Sequence, residues 1–148
     1  MLPVRILTSV GAAIFTLFGI VTGTTTSARA TTTAAPATCE SLKALALPDA
    51  IVFTAESVPA GSFAPPAGAP IANLPAFCRV AGSIRPSADS DIRFEVWMPA
   101  AGWNRKLQGL GNGGFAGSID FGGLGSAVSR GYAAAATDTG HAAGMIDA

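Results

Sequence analysis

Residues 106–114 read KLQGLGNGG, a short apolar strand that runs directly into a glycine loop. Glycine after a buried strand has a physical use, because a backbone without a Cβ can approach a ligand closely and direct N–H groups at it. Downstream, the sequence predicts a helix around Leu124 to Arg130, with Gly131 as its C-cap. Tyr132 to Thr137 is predicted as the next strand. The order strand, glycine loop, helix, strand indicates an α/β fold.

Upstream of the glycine loop, two strands are predicted to form a hairpin. Phe77 to Ile84 is the first of them, and Arg85-Pro86 ends it. In the next segment apolar residues alternate with Arg93, Glu95 and Trp97, which is the period of a half-buried strand. These apolar residues are Ile92, Phe94, Val96 and Met98.

The region before the hairpin is predicted to be poor in regular structure. Thr38 can cap a short helix through Leu45, and Ile51 to Ala55 is predicted as a short strand. Pro59 to Pro70 contains four prolines and two glycines, so we predict an irregular surface segment there.

The N-terminus has the pattern of a signal peptide. Arg5 precedes an apolar run from Ile6 to Val21, and Ala28-Arg29-Ala30 has the form that a signal peptidase cleaves. We expect residues 1–30 to be removed, residues 31–37 to form a disordered tail, and residues 38–148 to form the folded part. An uncleaved anchor is the alternative, but it needs about 18 uninterrupted apolar residues. The expected location is therefore secreted or periplasmic, with no membrane association after cleavage.

Charge and cysteine content further limit the kinds of site that the protein can carry. Loss of Arg5 and Arg29 with the signal leaves seven basic residues against nine acidic ones, so nothing indicates nucleic-acid binding. In an oxidising compartment Cys39 and Cys78 are expected to form a disulfide, with two free thiols as the alternative. A zinc site is not expected, since there is no Cys-x-x-Cys spacing and His141 is the only histidine.

Several separate motifs, taken with their order and spacing, resemble the tannase and feruloyl esterase family, and the resemblance runs from about Cys39 to the end of the chain. The motifs are Leu74-Pro75-Ala76-Phe77-Cys78-Arg79-Val80, Trp97-Met98-Pro99, Trp103-Asn104, Gly111-Asn112-Gly113-Gly114-Phe115-Ala116-Gly117, Gly131-Tyr132-Ala133 and Thr137-Asp138-Thr139-Gly140-His141.

The resemblance implies a fold and an activity. The fold is the N-terminal part of an α/β-hydrolase-type sheet, consisting of a hairpin, third strand, glycine loop, helix and fourth strand, and it is expected to be incomplete. Members are secreted serine esterases that cleave aromatic esters, feruloyl or galloyl, and their lid domain often holds calcium. The resemblance implies no cofactor in this segment, and any calcium would bind in the missing lid.

No catalytic triad is expected within this chain. The family nucleophile lies in a Gly-Cys-Ser-x-Gly-Gly segment beyond the equivalent of this C-terminus, and its Asp and His lie further on. We therefore expect the isolated chain to be inactive. His141 and Asp138 are assigned to loop stabilisation, and no motif places a base beside Ser118.

The residues kept as site candidates are backbone donors and aromatic side chains. In α/β-hydrolases the loop after the third strand gives one N–H to the oxyanion hole, and Gly113 and Gly114 fit that position, with a structural turn as the alternative. Trp103 and Phe115 are expected either to be core aromatics or to line the approach of an aromatic acyl group.

Two other classes remain open at this point. Gly109, Gly111 and Gly114 satisfy G-x-G-x-x-G after a strand, with Asp138 after the next strand, as in a dinucleotide-binding oxidoreductase. Against it, Gly117 and the glycines at 122 and 123 delay any helix. The second alternative is a non-catalytic exported binding module.

Overall fold

The computed structural model describes residues 37–113 and 117–141 of the 148-residue chain. The predicted signal peptide, nearly all of the predicted tail, and the candidates Gly114 and Phe115 lie outside the described residues.

Seven strands, one α-helix and one 3₁₀-helical turn make up the described part of the chain. In chain order they are the 3₁₀ turn Glu40–Ala44, β1 Ala50–Val58, β2 Gly61–Phe63, β3 Ile71–Leu74, β4 Phe77–Ile84, β5 Ile92–Pro99, β6 Leu107–Leu110, α1 Phe121–Ser129 and β7 Ala133–Thr137.

Five of these strands form one mixed sheet in the order β1-β4-β5-β7-β6. The β1–β4, β4–β5 and β5–β7 pairs are antiparallel, whereas β6 and β7 are parallel, with Leu107 opposite Ala133 and Leu110 opposite Ala136. Parallel neighbours need a crossover connection, and α1 supplies it. The fold is therefore α/β, with the predicted order of hairpin, third strand, helix and fourth strand.

The core lies between the sheet and a layer made of α1 and the separate β2–β3 hairpin. Trp97 and Leu124 are fully buried there, and the Trp97 ring stacks on Phe77 with a centroid distance of 4.4 Å. The hairpin adds Phe63, whose ring meets Trp97 edge-on at 5.2 Å. At Gly125 of α1 a Cβ would lie only 3.1 Å from Leu74, so glycine lets the helix and the hairpin pack closely.

The opposite face of the sheet carries a shallow apolar groove of about 440 Å³, lined in part by Ile84, Phe94, Val96 and Ala135. The alternation along β5 correctly assigned its residues to two faces of the sheet. The face that α1 covers, however, is the one that bears Glu95 and Trp97, not the one that bears the alternating apolar residues. The four alternating apolar residues are only half-buried.

The strand predictions in the second half hold, and those in the first half are partly wrong. β4 and its hairpin with β5 are confirmed, and β1 extends the predicted Ile51 to Ala55 strand at both ends. The Pro59 to Pro70 prediction is wrong, because residues 61–63 form β2 between the prolines and pair with β3, which was not predicted.

Capping explains how a glycine-rich segment forms α1. The Asp120 carboxylate accepts a hydrogen bond from the Gly123 N–H at 2.8 Å, which satisfies one free donor of the first turn. At the other end Gly131 adopts a φ of 79°, while its N–H and that of Tyr132 donate to the carbonyls of Val128 and Ala127. This is a Schellman motif, so the predicted role of Gly131 at the C-terminus of the helix is confirmed.

Cys39 and Cys78 form the expected disulfide, with their Cα atoms 5.6 Å apart. It ties the 3₁₀ turn to β4, and the Thr38 hydroxyl supports the turn by accepting the Ser41 N–H at 3.2 Å. The turn is shorter than predicted, ending at Ala44 rather than Leu45. On the chain-entropy view, closing a loop of this length stabilises the fold by about 4 kcal/mol.

Candidate functional site

The carboxyl edge of β6 and β7 brings the glycine loop and the segment after β7 together, because the two strands run parallel. Ligands of open α/β sheets bind at this edge. Gly113 is exposed there, and a Cβ built on it would meet no described atom within 4 Å. Its N–H makes no hydrogen bond with any other described residue. Among the described residues, nothing covers the Gly113 backbone.

The glycine loop is attached to the segment after β7 on both sides of Gly113. The Asn112 side chain donates from Nδ2 to the Thr137 carbonyl at 2.8 Å. On the other side, Gly117 is buried against His141, and a Cβ there would lie 1.9 Å from the His141 carbonyl oxygen. No residue with a side chain fits at position 117 without moving one of the two segments.

Hydrogen bonds within the segment after β7 fix its shape. The Asp138 carboxylate accepts the backbone N–H groups of Arg93 and Gly140, both at 2.9 Å. Thr139 has a φ of 58°, an unusual conformation for a β-branched residue, and its hydroxyl lies 3.1 Å from Nδ1 of His141. Asp138 therefore caps a loop, in agreement with the role assigned from sequence.

The hydroxyl that contacts a histidine at this edge is that of Thr139, which also donates to the Asp138 carbonyl, rather than that of Ser118. Ser118 is exposed, and its hydroxyl makes no hydrogen bond with any described residue. A nucleophile activated by histidine requires such a hydrogen bond. What this edge of the sheet offers chemically is a backbone donor.

Trp103 lies at the opposite edge of the sheet from Gly113. Its indole Nε1 donates to the Lys106 carbonyl at 3.1 Å, just before β6 begins, while Gly113 follows the end of β6. A strand of four residues separates them by roughly 13 Å. Trp103 is also 56% exposed, so the prediction of a core aromatic is wrong as well.

A charged cluster stands beside the site, at the turn that joins β4 to β5. The Ser83 hydroxyl, then Arg93 and Arg85, bond to the Asp91 carboxylate, and together they lower the pKa of Asp91 to about 2. Asp91 is therefore ionised throughout the physiological range. It compensates the two arginines at this edge of the sheet.

A second charged cluster, not anticipated from sequence, lies inside the core layer. Arg79 donates to both Glu95 carboxylate oxygens, at 3.0 and 2.5 Å, and to Glu56 at 2.9 Å. The indole of Trp97 also donates to Glu95. Burial alone would lower the pKa of Arg79, but the hydrogen bonds and charges of the two glutamates raise it overall. The cluster joins β1, β4 and β5 and is structural.

The geometry contradicts the dinucleotide-binding alternative. Gly109 lies inside β6, opposite Ala135, rather than in a turn after the strand. The helix begins at Phe121, seven residues beyond Gly114, so its N-terminus cannot meet a pyrophosphate held by the motif.

The described part of the chain has neither a cluster of metal-ligating side chains nor a membrane-spanning helix. Within residues 37–113 and 117–141 no group of three or more His, Cys, Asp or Glu side chains is arranged to hold a metal ion. No helix in this part of the chain is long and apolar enough to cross a bilayer.

Comparison with known proteins identifies the family. The family described as "Tannase and feruloyl esterase" matches residues 78–148, which include β4 to β7 and the glycine loop. The resemblance to the tannase and feruloyl esterase family is confirmed over residues 78–148. An uncharacterized esterase of Xanthomonas campestris pv. campestris is 50% identical over 103 residues, which cover 70% of this chain and 18% of that protein.

Solved structures agree in fold. Feruloyl esterase B from Aspergillus oryzae superposes with a TM-score of 0.63 at 32% identity, over 70% of this chain and 21% of that one. Another esterase from Aspergillus oryzae superposes with a TM-score of 0.64 at 25% identity, over 70% of this chain and 22% of that one. The chain thus spans about a fifth of the length of the relatives it matches.

Proposed function

We propose that this segment belongs to a longer carboxylic ester hydrolase, to which it contributes one oxyanion donor. The observation that supports the proposal is the open Gly113 backbone at the carboxyl edge of the β6–α1–β7 unit, within a segment of this family. Preorganised N–H groups at such a position stabilise the charge that develops on a carbonyl oxygen.

The proposed chemistry is serine acyl transfer. A serine hydroxyl, deprotonated by a histidine, attacks the ester carbonyl, and the alcohol leaves after receiving that proton. Water then attacks the acyl-enzyme, and the free acid departs while the serine regains its proton. The tetrahedral oxyanion formed in both steps accepts a hydrogen bond from the Gly113 N–H. The serine, histidine and third triad residue are proposed to lie outside residues 1–148.

The proposed substrates are esters of aromatic acids such as ferulate or gallate. This rests on the similarity to a protein named feruloyl esterase B and on the family description, not on a pocket in this segment. Any calcium would bind in a lid domain outside the segment. The described residues require no cofactor for the step they would perform.

The test is a substrate panel with the full product of the gene that encodes this chain. We expect kcat/KM for methyl ferulate or methyl gallate to exceed that for a methyl ester of a saturated acid of similar size by at least about tenfold. Hydrolysis of the saturated ester alone would contradict the proposed specificity for aromatic esters. If the full gene product hydrolyses none of these esters but binds polyphenols or glycans, a non-catalytic binding module is favoured.

Export is a separate part of the proposal, supported by the Ala28-Arg29-Ala30 motif after the apolar run. Mass spectrometry of the exported protein is expected to find a mature N-terminus at Thr31. An exported product that retains residues 1–30 would indicate an anchor instead.

A further inference from the structure

Asn112 stands immediately before the candidate oxyanion donor, and its side chain crosses to another strand. Its Nδ2 donates to the Thr137 carbonyl, the last residue of β7, at 2.8 Å. The side chain is half-buried, and this is a side-chain hydrogen bond between segments 25 residues apart. It fixes the backbone next to Gly113 relative to the parallel strand.

The acceptor of this bond is itself held in place. Thr137 pairs with Phe94 of β5, and the next residue, Asp138, exchanges backbone and side-chain hydrogen bonds with Arg93. The carbonyl that Asn112 reaches is therefore part of the sheet rather than of a free loop. A glycine loop has little conformational preference of its own, so such a tether decides where its N–H groups point.

We infer that Asn112 is a positioning residue for ester hydrolysis, which holds the Gly113 N–H in the direction of the oxyanion. The inference rests on the proposed function. The Asn112 carboxamide bonds to the Thr137 carbonyl and would act through the backbone of the next residue. Because an oxyanion donor contributes only if it already points at the developing charge, a loosened loop should slow the chemical step more than it weakens substrate binding.

The chain offers a matched control for the same bond. Asn104 also donates from Nδ2 to a backbone carbonyl, that of Arg130, at 3.2 Å. It belongs to the same β6–α1–β7 unit but precedes β6, so it lies at the opposite edge of the sheet from Gly113. Asn112→Asp and Asn104→Asp each replace a donating amide by a carboxylate of the same size.

The experiment compares both variants with the wild type in the full gene product. For Asn112→Asp we expect kcat to fall roughly 10- to 100-fold with KM within about twofold, since misplacing a catalytic group by about 1 Å costs that much. Asn104→Asp is expected to leave kcat and KM within about twofold. Equal losses in the two variants, or an unchanged kcat for Asn112→Asp, would overturn the inference.

Hydrogen–deuterium exchange of residues 111–117 separates this inference from the proposed function. Exchange there should be faster in Asn112→Asp and unchanged in Asn104→Asp, whether or not the protein hydrolyses esters. Unchanged exchange in Asn112→Asp would refute the tether itself. If the wild type hydrolyses no ester but exchange is still faster in Asn112→Asp, the proposed function is refuted and the tether is retained.

Discussion

Replacement of Gly113 by valine is expected to lower kcat for ester hydrolysis by at least about 10²-fold in the full gene product, the scale seen when one oxyanion donor is lost. The branched side chain would fill the space that is open beside this backbone and keep the carbonyl oxygen away from the N–H. The fold itself should tolerate the change, because Gly113 has no left-handed backbone angle and no described atom within 4 Å of a Cβ.

A strand glycine provides the control for this prediction. Gly109 is also exposed, with no described atom within 4 Å of a Cβ, but it lies inside β6. Gly109→Ala should therefore leave kcat unchanged. If Gly113→Val also leaves kcat unchanged, the same substitution at Gly114 tests the other candidate. Full activity in both correctly folded loop variants would make the glycine loop a structural turn only.

Glu95→Ala is expected to reduce the free energy of unfolding by about 3–5 kcal/mol, measured by urea denaturation. The Glu95 side chain is 4% exposed and faces Arg79, which is 12% exposed. Its removal leaves the guanidinium without its buried partner and the Trp97 indole N–H without an acceptor. The indole N–H would then be buried without a hydrogen bond, and the guanidinium would keep only its exposed partner Glu56.

Glu56→Ala separates the effect of burial from the effect of removing one carboxylate partner of Arg79. Glu56 binds the same guanidinium at 2.9 Å, but its side chain is 49% exposed. Exposed ion pairs contribute at most about 1 kcal/mol, so this variant should remain close to the wild type in stability. Similar losses of stability in the two variants would contradict the assignment of Glu95 as the buried partner.

Short-range patterns in the sequence predicted the second half of the fold well. The β4–β5 hairpin follows from two apolar runs joined by a polar turn, and Gly131 follows from the need for a left-handed residue after a helix. Both depend on neighbours only a few residues apart. By contrast, β2 has three residues between prolines, and its pairing with β3 stabilises it where local preference would not.

The identity of the buried face could not be read from β5 alone. Alternation places Glu95 and Trp97 on one face, but the position of α1 decides that this face is covered. A signal for the ion pair was nevertheless present. In the observed β4–β5 hairpin Arg79 stands opposite Trp97, which puts it diagonally across from Glu95 on the same face.

The role of Gly113 as a donor stays a prediction, and the contacts that hold its loop were not predicted. A glycine loop after a strand indicated Gly113 from local sequence. The bond from Asn112 to Thr137 and the contact of Gly117 with His141 depend on the parallel pairing of β6 and β7, which brings distant residues together. The sequence also did not show that Trp103 and Gly113 lie at opposite edges of the sheet, because that depends on the direction of β6 between them.

We propose that this segment supplies an oxyanion donor to a serine nucleophile outside it. Labelling the full gene product with a fluorophosphonate, followed by peptide mapping, tests this most directly. We predict loss of ester hydrolysis in proportion to labelling, with the label on the serine of a Gly-Cys-Ser-x-Gly-Gly segment outside residues 1–148. A label on Ser118, or full activity in the labelled protein, would contradict the account.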